Sequence, residues 1–355
     1  MNLAKGRWAR DHRGLSSLSR LPLPVNPVYV SGNPHFPAAR FFGVNRYDFL
    51  HSFISIYGTR VLNVTYVDWL MNQRGDLAQH FLGWVFFRNE PWSFPLGVIK
   101  SIGYPFEISI VFTDSIPLFA LFFKLLNPIL PNHFQYFGIW GIISFALQGG
   151  IASLIFRKYT DKYVIIGISS LFLIFSPIMI FRMFFHTALA GHWILLLAIA
   201  AWVFRDRIHK HIILEIVLWA AICSISVMIH PYFTAMVFVM LAGYLFHDYL
   251  NYRRIKKNLY VLAASCVSII SFFWLIGGFV RANNVDFDEA GLGHYSLNGN
   301  AFFNPQWGWS RFLKELPVAT SGQYEGFMYL GLGTILLVLL NLCMFALNNL
   351  ALHQT

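Results

Sequence analysis

FQYFGIWGIISFALQGGIASLIF, residues 134–156, runs for 23 positions without a charged side chain and is closed by Arg157 and Lys158. At about 1.5 Å per residue a helix of this length covers the roughly 30 Å hydrocarbon core of a bilayer, so the stretch reads as a transmembrane helix. Comparable runs follow at roughly 163–181, 187–204, 212–229, 232–247, 259–280 and 327–347. His230-Pro231 separates two of them, because proline lacks the amide donor and clashes with the preceding turn. Composition agrees: 57% of the 355 residues are hydrophobic, 12% are charged and the mean hydropathy is +0.55. A soluble domain carries about 25% charged residues. The expected fold is all-α, a polytopic membrane protein with about seven transmembrane helices, one for each run.

The net charge of +10 is gathered in the first 60 residues and in short loops between apolar runs. That placement argues against a nucleic-acid partner and for the cytoplasmic excess of Lys and Arg in membrane proteins. Residues 157–162, 205–210 and 253–257 carry three, three and four basic residues. The alternate connections carry one in 182–191, none at His230-Pro231 and three in the long segment 281–326. The first set is expected on the cytoplasmic side and the second on the periplasmic or exterior side. Cys223, Cys266 and Cys343 fall inside apolar runs, with no disulfide framework or metal spacing.

Residues 1–60 hold clustered Arg, Pro, Gly and Ser without a spanning run, and read as a poorly defined basic arm in which a first transmembrane helix is missing. Residues 107–126 are apolar but broken by Asp114 and Pro117, with Lys124 near the end. An interfacial helix on the exterior face suits them better than a span. Residues 61–134 are then an exterior loop with such helices, 135–280 a six-helix bundle, 281–326 a second exterior loop, and 327–355 the last helix and a truncated C-terminus.

In this apolar setting Gly75-Asp76-Leu77-Ala78-Gln79-His80-Phe81-Leu82-Gly83-Trp84 and the following Phe87-Arg88-Asn89-Glu90-Pro91-Trp92 gather two acids, a His, an Arg and two Trp. Asp76 is a candidate general base for an acceptor hydroxyl, or simply a helix N-cap. His80, one turn on, projects from the same face. Arg88 is a candidate phosphate ligand, with Glu90 as its neighbour or its salt-bridge partner. Trp84, Trp92 and Phe94 read as an interfacial aromatic belt. Asp114, within Thr113-Asp114-Ser115-Ile116-Pro117, is a second acid in an apolar stretch, which marks either a site or a cap. Arg182, His186 and His192 form a third polar cluster, able to hold a phosphate head group or to snorkel at a turn.

Segment 281–326 is too long for a connector. Its Asn298-Gly299-Asn300, Asn304-Pro305-Gln306-Trp307-Gly308-Trp309 and Gln323-Tyr324-Glu325 suit carbohydrate, with Trp307, Gln323 and Glu325 as candidate substrate contacts. Asp286, Asp288 and Glu289 have a spacing that can hold a divalent cation or merely face solvent. No other cofactor is implied and no metal ligand is assigned. Asn63-Val64-Thr65 fits a glycosylation acceptor, and Walker, zinc-protease and nucleophile-elbow signatures are missing, as are repeat halves with matching broken helices.

The blocks from Asp76 to Trp84 and Phe87 to Gly97, with Thr113 to Leu118, Gly191-His192-Trp193 and Gln323 to Phe327, resemble an uncharacterised family of bacterial integral membrane proteins. That family is similar in turn to the GT-C glycosyltransferases, and the resemblance covers about residues 61–350. It implies an acid in the first exterior loop, which Asp76 matches, and juxtamembrane helices, which 107–126 matches. It further implies a polyprenyl-phosphate sugar donor, a glycan or lipid acceptor, and an inner-membrane location with a periplasmic or exterior active face. Asp76 and Asp114 are then the expected catalytic residues, and His80, Arg88, Glu90, Arg182, His186, His192, Trp307, Gln323 and Glu325 the substrate-binding ones. The competing expectations are a transporter or flippase of a lipid-linked glycan, and an assembly subunit. A carrier would need acids at mid-membrane depth, where Glu215 alone is a clear candidate.

Overall fold

The computed structural model describes residues 48–71, 76–102, 104, 107–280 and 293–352, with backbone alone for 48–52 and 348–352. The described residues are 67% helical and form thirteen α-helices and one two-stranded ribbon. The chain enters through α1 (Asp48–Tyr57) and α2 (Asp68–Met71), then α3 (Asp76–Asn89). The short antiparallel ribbon of β1 (Val98–Ile99) and β2 (Ile108–Ser109) leads to α4 (Pro117–Leu125). The bundle comprises α5 (Phe137–Phe156), α6 (Tyr163–Ile174), α7 (Pro177–Phe185), α8 (Trp193–Val203), α9 (Arg205–Ile208), α10 (Ile212–Ile229), α11 (Pro231–Tyr252) and α12 (Ile255–Leu275). After the loop segment comes α13 (Leu332–Leu352).

Four helices, α5, α10, α11 and α12, are long and apolar enough to cross a membrane, and a fifth span results if α6 and α7 are taken together. The run expected at 163–181 is not one straight helix. It bends by 42° at Ser176-Pro177, where proline removes a donor and holds Ser176 extended (ψ 125°). Two of the expected runs form shorter apolar helices, Thr187–Val203 and Leu332–Leu347. The outward faces carry large exposed aliphatic side chains, such as Ile213, Val267 and Leu340, which suit lipid better than water. The inward faces meet in a core of Trp140, Phe145, Trp219, Phe233 and Leu241, all fully or almost fully buried.

Within the expected N-terminal arm, residues 48–57 are helical, and Phe53 of α1 packs edge-on to Phe145 of α5. Tyr57 donates to the Ile180 carbonyl at 3.0 Å. Within 107–126 the backbone makes a strand, a 3₁₀ turn and then α4, whose nine residues are far short of the roughly 20 a span needs. Trp84 is not a member of an aromatic belt. It is fully buried and donates its indole N–H to the Phe134 carbonyl at 2.9 Å, while Trp92 and Phe94 remain exposed.

The basic loops and the acidic segments lie at opposite ends of these helices. Lys158 lies 6.0 Å from the Phe204 ring, and Arg254 donates to the His209 carbonyl, so the loops after α5, α8 and α11 adjoin. Just inside that end, Lys257 joins Glu215 (2.8 Å) and Asp248 (3.4 Å) in a buried ionic trio. At the far end of α10, about 27 Å away for 18 residues, His230 meets Asp114 at 2.9 Å. Leu96 and Ser109 bond to the carbonyls of Leu275 and Ile276 at the end of α12, which ties the segment 90–116 to the same end.

Gly83 lets α3 lie directly on the turn that carries Asp114. A β-carbon there would fall 2.4 Å from the Thr113 β-carbon and 2.6 Å from the Ser115 hydroxyl oxygen. Gly83→Val is therefore expected to destabilise the protein by about 1–3 kcal/mol, the usual cost of overpacking. Thermal unfolding in detergent checks this, and an unchanged midpoint would contradict the close approach.

Candidate functional site

α3 starts at Asp76 and presents its first turn to α7 and to the turn before α4. Asp76 and His80 are four residues apart on it and share a face. Asp76 places Oδ2 3.1 Å from His186 Nδ1, and its side chain is 46% exposed. The other His186 nitrogen, Nε2, lies 3.0 Å from the Glu325 carboxylate. Arg182, one turn back on α7, donates to the Glu325 carboxylate at 3.1 Å and to its carbonyl at 2.8 Å. His186 thus stands between two acids, one from α3 and one from the loop before α13. A neutral imidazole has a single N–H, so it can donate to only one of them.

A second acid–imidazole set adjoins the first. Asp114 accepts at Oδ1 from His230 at 2.9 Å, and its Oδ2 lies 3.6 Å from His80 Nε2. The His80 and His186 rings are 6.4 Å apart between centroids. Asp114 and Ile116 both have left-handed backbone (φ 53° and 52°), which is costly for a β-branched residue such as Ile116. The turn is held in place by its own hydroxyls: Ser115 donates to the His80 carbonyl at 2.6 Å and contacts Thr113 at 2.8 Å, and Tyr136 donates to the Ser115 carbonyl. Strain held so firmly beside titratable groups is a mark of a functional site.

The electrostatics follow from this packing. Burial alone would raise the Asp114 carboxyl, but the imidazoles of His230 and His80 beside it hold it well below the usual carboxylate range. Burial opposes ionisation of Glu325 as well, yet His186 and Arg182 win and bring it down. Burial, followed by the charges of Glu325, Tyr295 and Asp76, pushes the Tyr324 phenol up.

Of the expected site residues, Asp76, His80, Asp114, Arg182, His186 and Glu325 converge. Arg88 and Glu90 do not. Arg88 is twelve residues along α3 from Asp76, about 18 Å, and braces the 127–132 loop through Asn127 Oδ1 (2.7 Å) and the carbonyls of Pro131 and Asn132. Glu90 caps the turn at 100–101, accepting from the backbone of Lys100 and Ser101. His192 packs edge-on to Phe233 with ring centroids 6.0 Å apart. Gln323 is a loop brace, accepting from the Ala319 amide at 2.7 Å and from Asn298. Trp307 stacks on Phe181 and Phe185 near the mouth of the site and keeps 47% of its surface exposed. Asp286, Asp288 and Glu289 lie outside the described residues. His230 is the site residue that sequence reasoning passed over, reading it only as a helix break. Its position before Pro231, at the mouth between two apolar runs, was the available signal.

Fold and site together define an all-α protein with membrane-length helices and a cluster of acids and imidazoles at one end of them. Residues 50–354 match the family described as a domain of unknown function, DUF6311, and the chain belongs to that family. No curated protein and no solved structure matches it.

Proposed function

We propose that this protein is a membrane glycosyltransferase of the GT-C kind, which moves a sugar from a polyprenyl-phosphate donor to a hydroxyl of a glycan or lipid at the periplasmic or exterior membrane surface. The observation that carries the reading is the meeting of Asp76, His186, Arg182 and Glu325, drawn from three distant segments, at the end of the bundle opposite the basic loops. Asp76 Oδ2 lies 3.1 Å from His186 Nδ1, and the side chain is 46% exposed, which leaves Oδ1 for the acceptor. In the proposed step Oδ1 takes the acceptor's hydroxyl proton as that oxygen bonds to the anomeric carbon. The bond from that carbon to the phosphate oxygen breaks, and polyprenyl phosphate leaves with the electron pair. Arg182 supplies the fixed positive charge of the cluster and would offset the charge growing on that phosphate.

Two further features favour a lipid-linked donor. An apolar groove of about 440 Å³ runs between α10, α11 and α12, lined by Val227, Pro231, Phe238, Ile269 and Phe273. One of its lining residues, Pro231, follows His230 in the chain, and its apolar walls match an isoprenoid chain. Transport is disfavoured because Glu215, the one acid that suggested a carrier path, lies in the first turn of α10 and is already bound to Lys257.

The test is turnover by the purified protein in detergent. A panel of polyprenyl-phosphate hexose, pentose and aminosugar donors is expected to include one from which free polyprenyl phosphate is released in the presence of a glycan or lipid acceptor. Release from none of them would remove the proposal.

A further inference from the structure

We propose that His80, Asp114 and His186 bind one divalent first-row transition ion, with Asp76 and Glu325 flanking it; the inference does not depend on sugar transfer. Each of the three residues offers a donor atom, and these atoms all lie within 4.8 Å of one another. In tetrahedral coordination, with ligands about 2.0–2.2 Å from the ion, donor atoms sit roughly 3.3 Å apart. The 3.6 Å between His80 Nε2 and Asp114 Oδ2 is close to that separation and too long for a hydrogen bond. The donor atoms, now within 4.8 Å of one another, would close to roughly 3.3 Å, and His186, whose nitrogens face Asp76 and Glu325, would turn one of them from its acid to the ion.

His80 supplies the independent evidence. Its side chain is fully buried, and neither ring nitrogen has a hydrogen-bond partner among the described residues. A buried imidazole whose nearest polar neighbour, Asp114 Oδ2 at 3.6 Å, stands beyond hydrogen-bond range is rare, and an ion between the two explains the gap. The surroundings prepare the ligand geometry. His230 occupies the other Asp114 oxygen at 2.9 Å, and Ser115 fastens the Asp114 turn to the His80 backbone at 2.6 Å. Outer partners of this kind orient the ligands in known metal sites.

Charge gives the same answer. Asp76, Asp114 and Glu325 face the single guanidinium of Arg182 among the described residues, so with neutral imidazoles the cluster carries a net charge of −2. One divalent cation cancels it. Two imidazole nitrogens and a carboxylate suit Zn²⁺ or Fe²⁺ better than Mg²⁺ or Ca²⁺, which prefer oxygen ligands, and Mn²⁺ serves as the paramagnetic probe of the same site. Three protein ligands leave a position open for water or a phosphate oxygen.

The test uses the full chain in detergent, tag removed, stripped with EDTA and dialysed against Zn²⁺ or Mn²⁺. Mass spectrometry of the metal is expected to give one ion per chain, and bound Mn²⁺ should show nitrogen couplings from imidazole by pulsed EPR. His80→Gln and His186→Gln should each weaken binding about ten-fold or more, while Lys210→Gln, at the opposite end, should bind as the parent does. His80 is wholly buried, so the more accessible His186 and the nitrogen couplings in the unsubstituted protein keep the test decisive if His80→Gln fails to fold. No ion above background, an ion without nitrogen couplings, or full retention by both histidine variants would overturn the site. A bound ion without sugar transfer would leave it standing and remove only the proposed activity.

Discussion

Asp76→Asn is expected to lower sugar transfer by about 10²–10⁴-fold, the contribution of a positioned general base, while leaving membrane insertion and folding intact. The substitution keeps the side chain's shape and its place beside His186, 3.1 Å from Nδ1. It loses the capacity to take a proton. At roughly 1.36 kcal/mol per tenfold this is about 3–5 kcal/mol of transition-state stabilisation. The side chain is 46% exposed, so little fold stability depends on it. Initial rates of polyprenyl-phosphate release, measured beside thermal unfolding of the same sample, separate the two effects. Asp114→Asn is the informative companion. Both Asp114 oxygens face imidazoles, Oδ1 held by His230 and Oδ2 toward His80 and the proposed ion, so this acid is not placed to meet the acceptor. A rate for Asp76→Asn within a few-fold of the parent would exclude this carboxylate as the base.

Lys257→Met should have the largest effect on stability, a loss of about 3–5 kcal/mol, because it removes one partner of a buried ionic network. Glu215 is fully buried and Asp248 nearly so, and the Lys257 ammonium reaches both. Without it, two buried carboxylates would lose the ammonium that pairs with both of them. The Tyr244 hydroxyl beside Glu215 is a neutral donor, and one such group offsets only a small part of two carboxylate charges. Unfolding in detergent–denaturant mixtures should show the loss, and adding Glu215→Gln to Lys257→Met should recover part of it. An unchanged unfolding midpoint for Lys257→Met would mean that the trio is solvated and not buried.

The helices were legible because a bilayer leaves few options: a charge-free run near 20 residues is a span or a long core helix, and 134–156 became α5 with its end within a residue. The pairing of Asp76 with His80 was legible for the same reason, since a four-residue spacing puts both on one face of α3. What proximity in sequence suggested about Arg88 and Glu90 failed, because the rise of the same helix carries them away from Asp76. The bend at Pro177 was also missed; hydropathy is blind to a proline flanked by apolar residues. Contacts such as Arg182 with Glu325, 143 residues apart, have no periodic signature at all. His230 was hidden by its neighbour, since Pro231 accounted for the helix boundary and drew attention from the imidazole beside it.

The arrangement as a whole depends on α3 and the long loop sharing the face opposite the basic loops. In a variant without Cys223, Cys266 and Cys343, single cysteines at the exposed positions Gln79, Gly299 and Lys210 are each offered a membrane-impermeant maleimide in intact cells. Gln79→Cys and Gly299→Cys are expected to react at once, and Lys210→Cys only after lysis. Labelling of Gln79→Cys and Lys210→Cys from the same side, or of Gln79→Cys and Gly299→Cys from opposite sides, would contradict it.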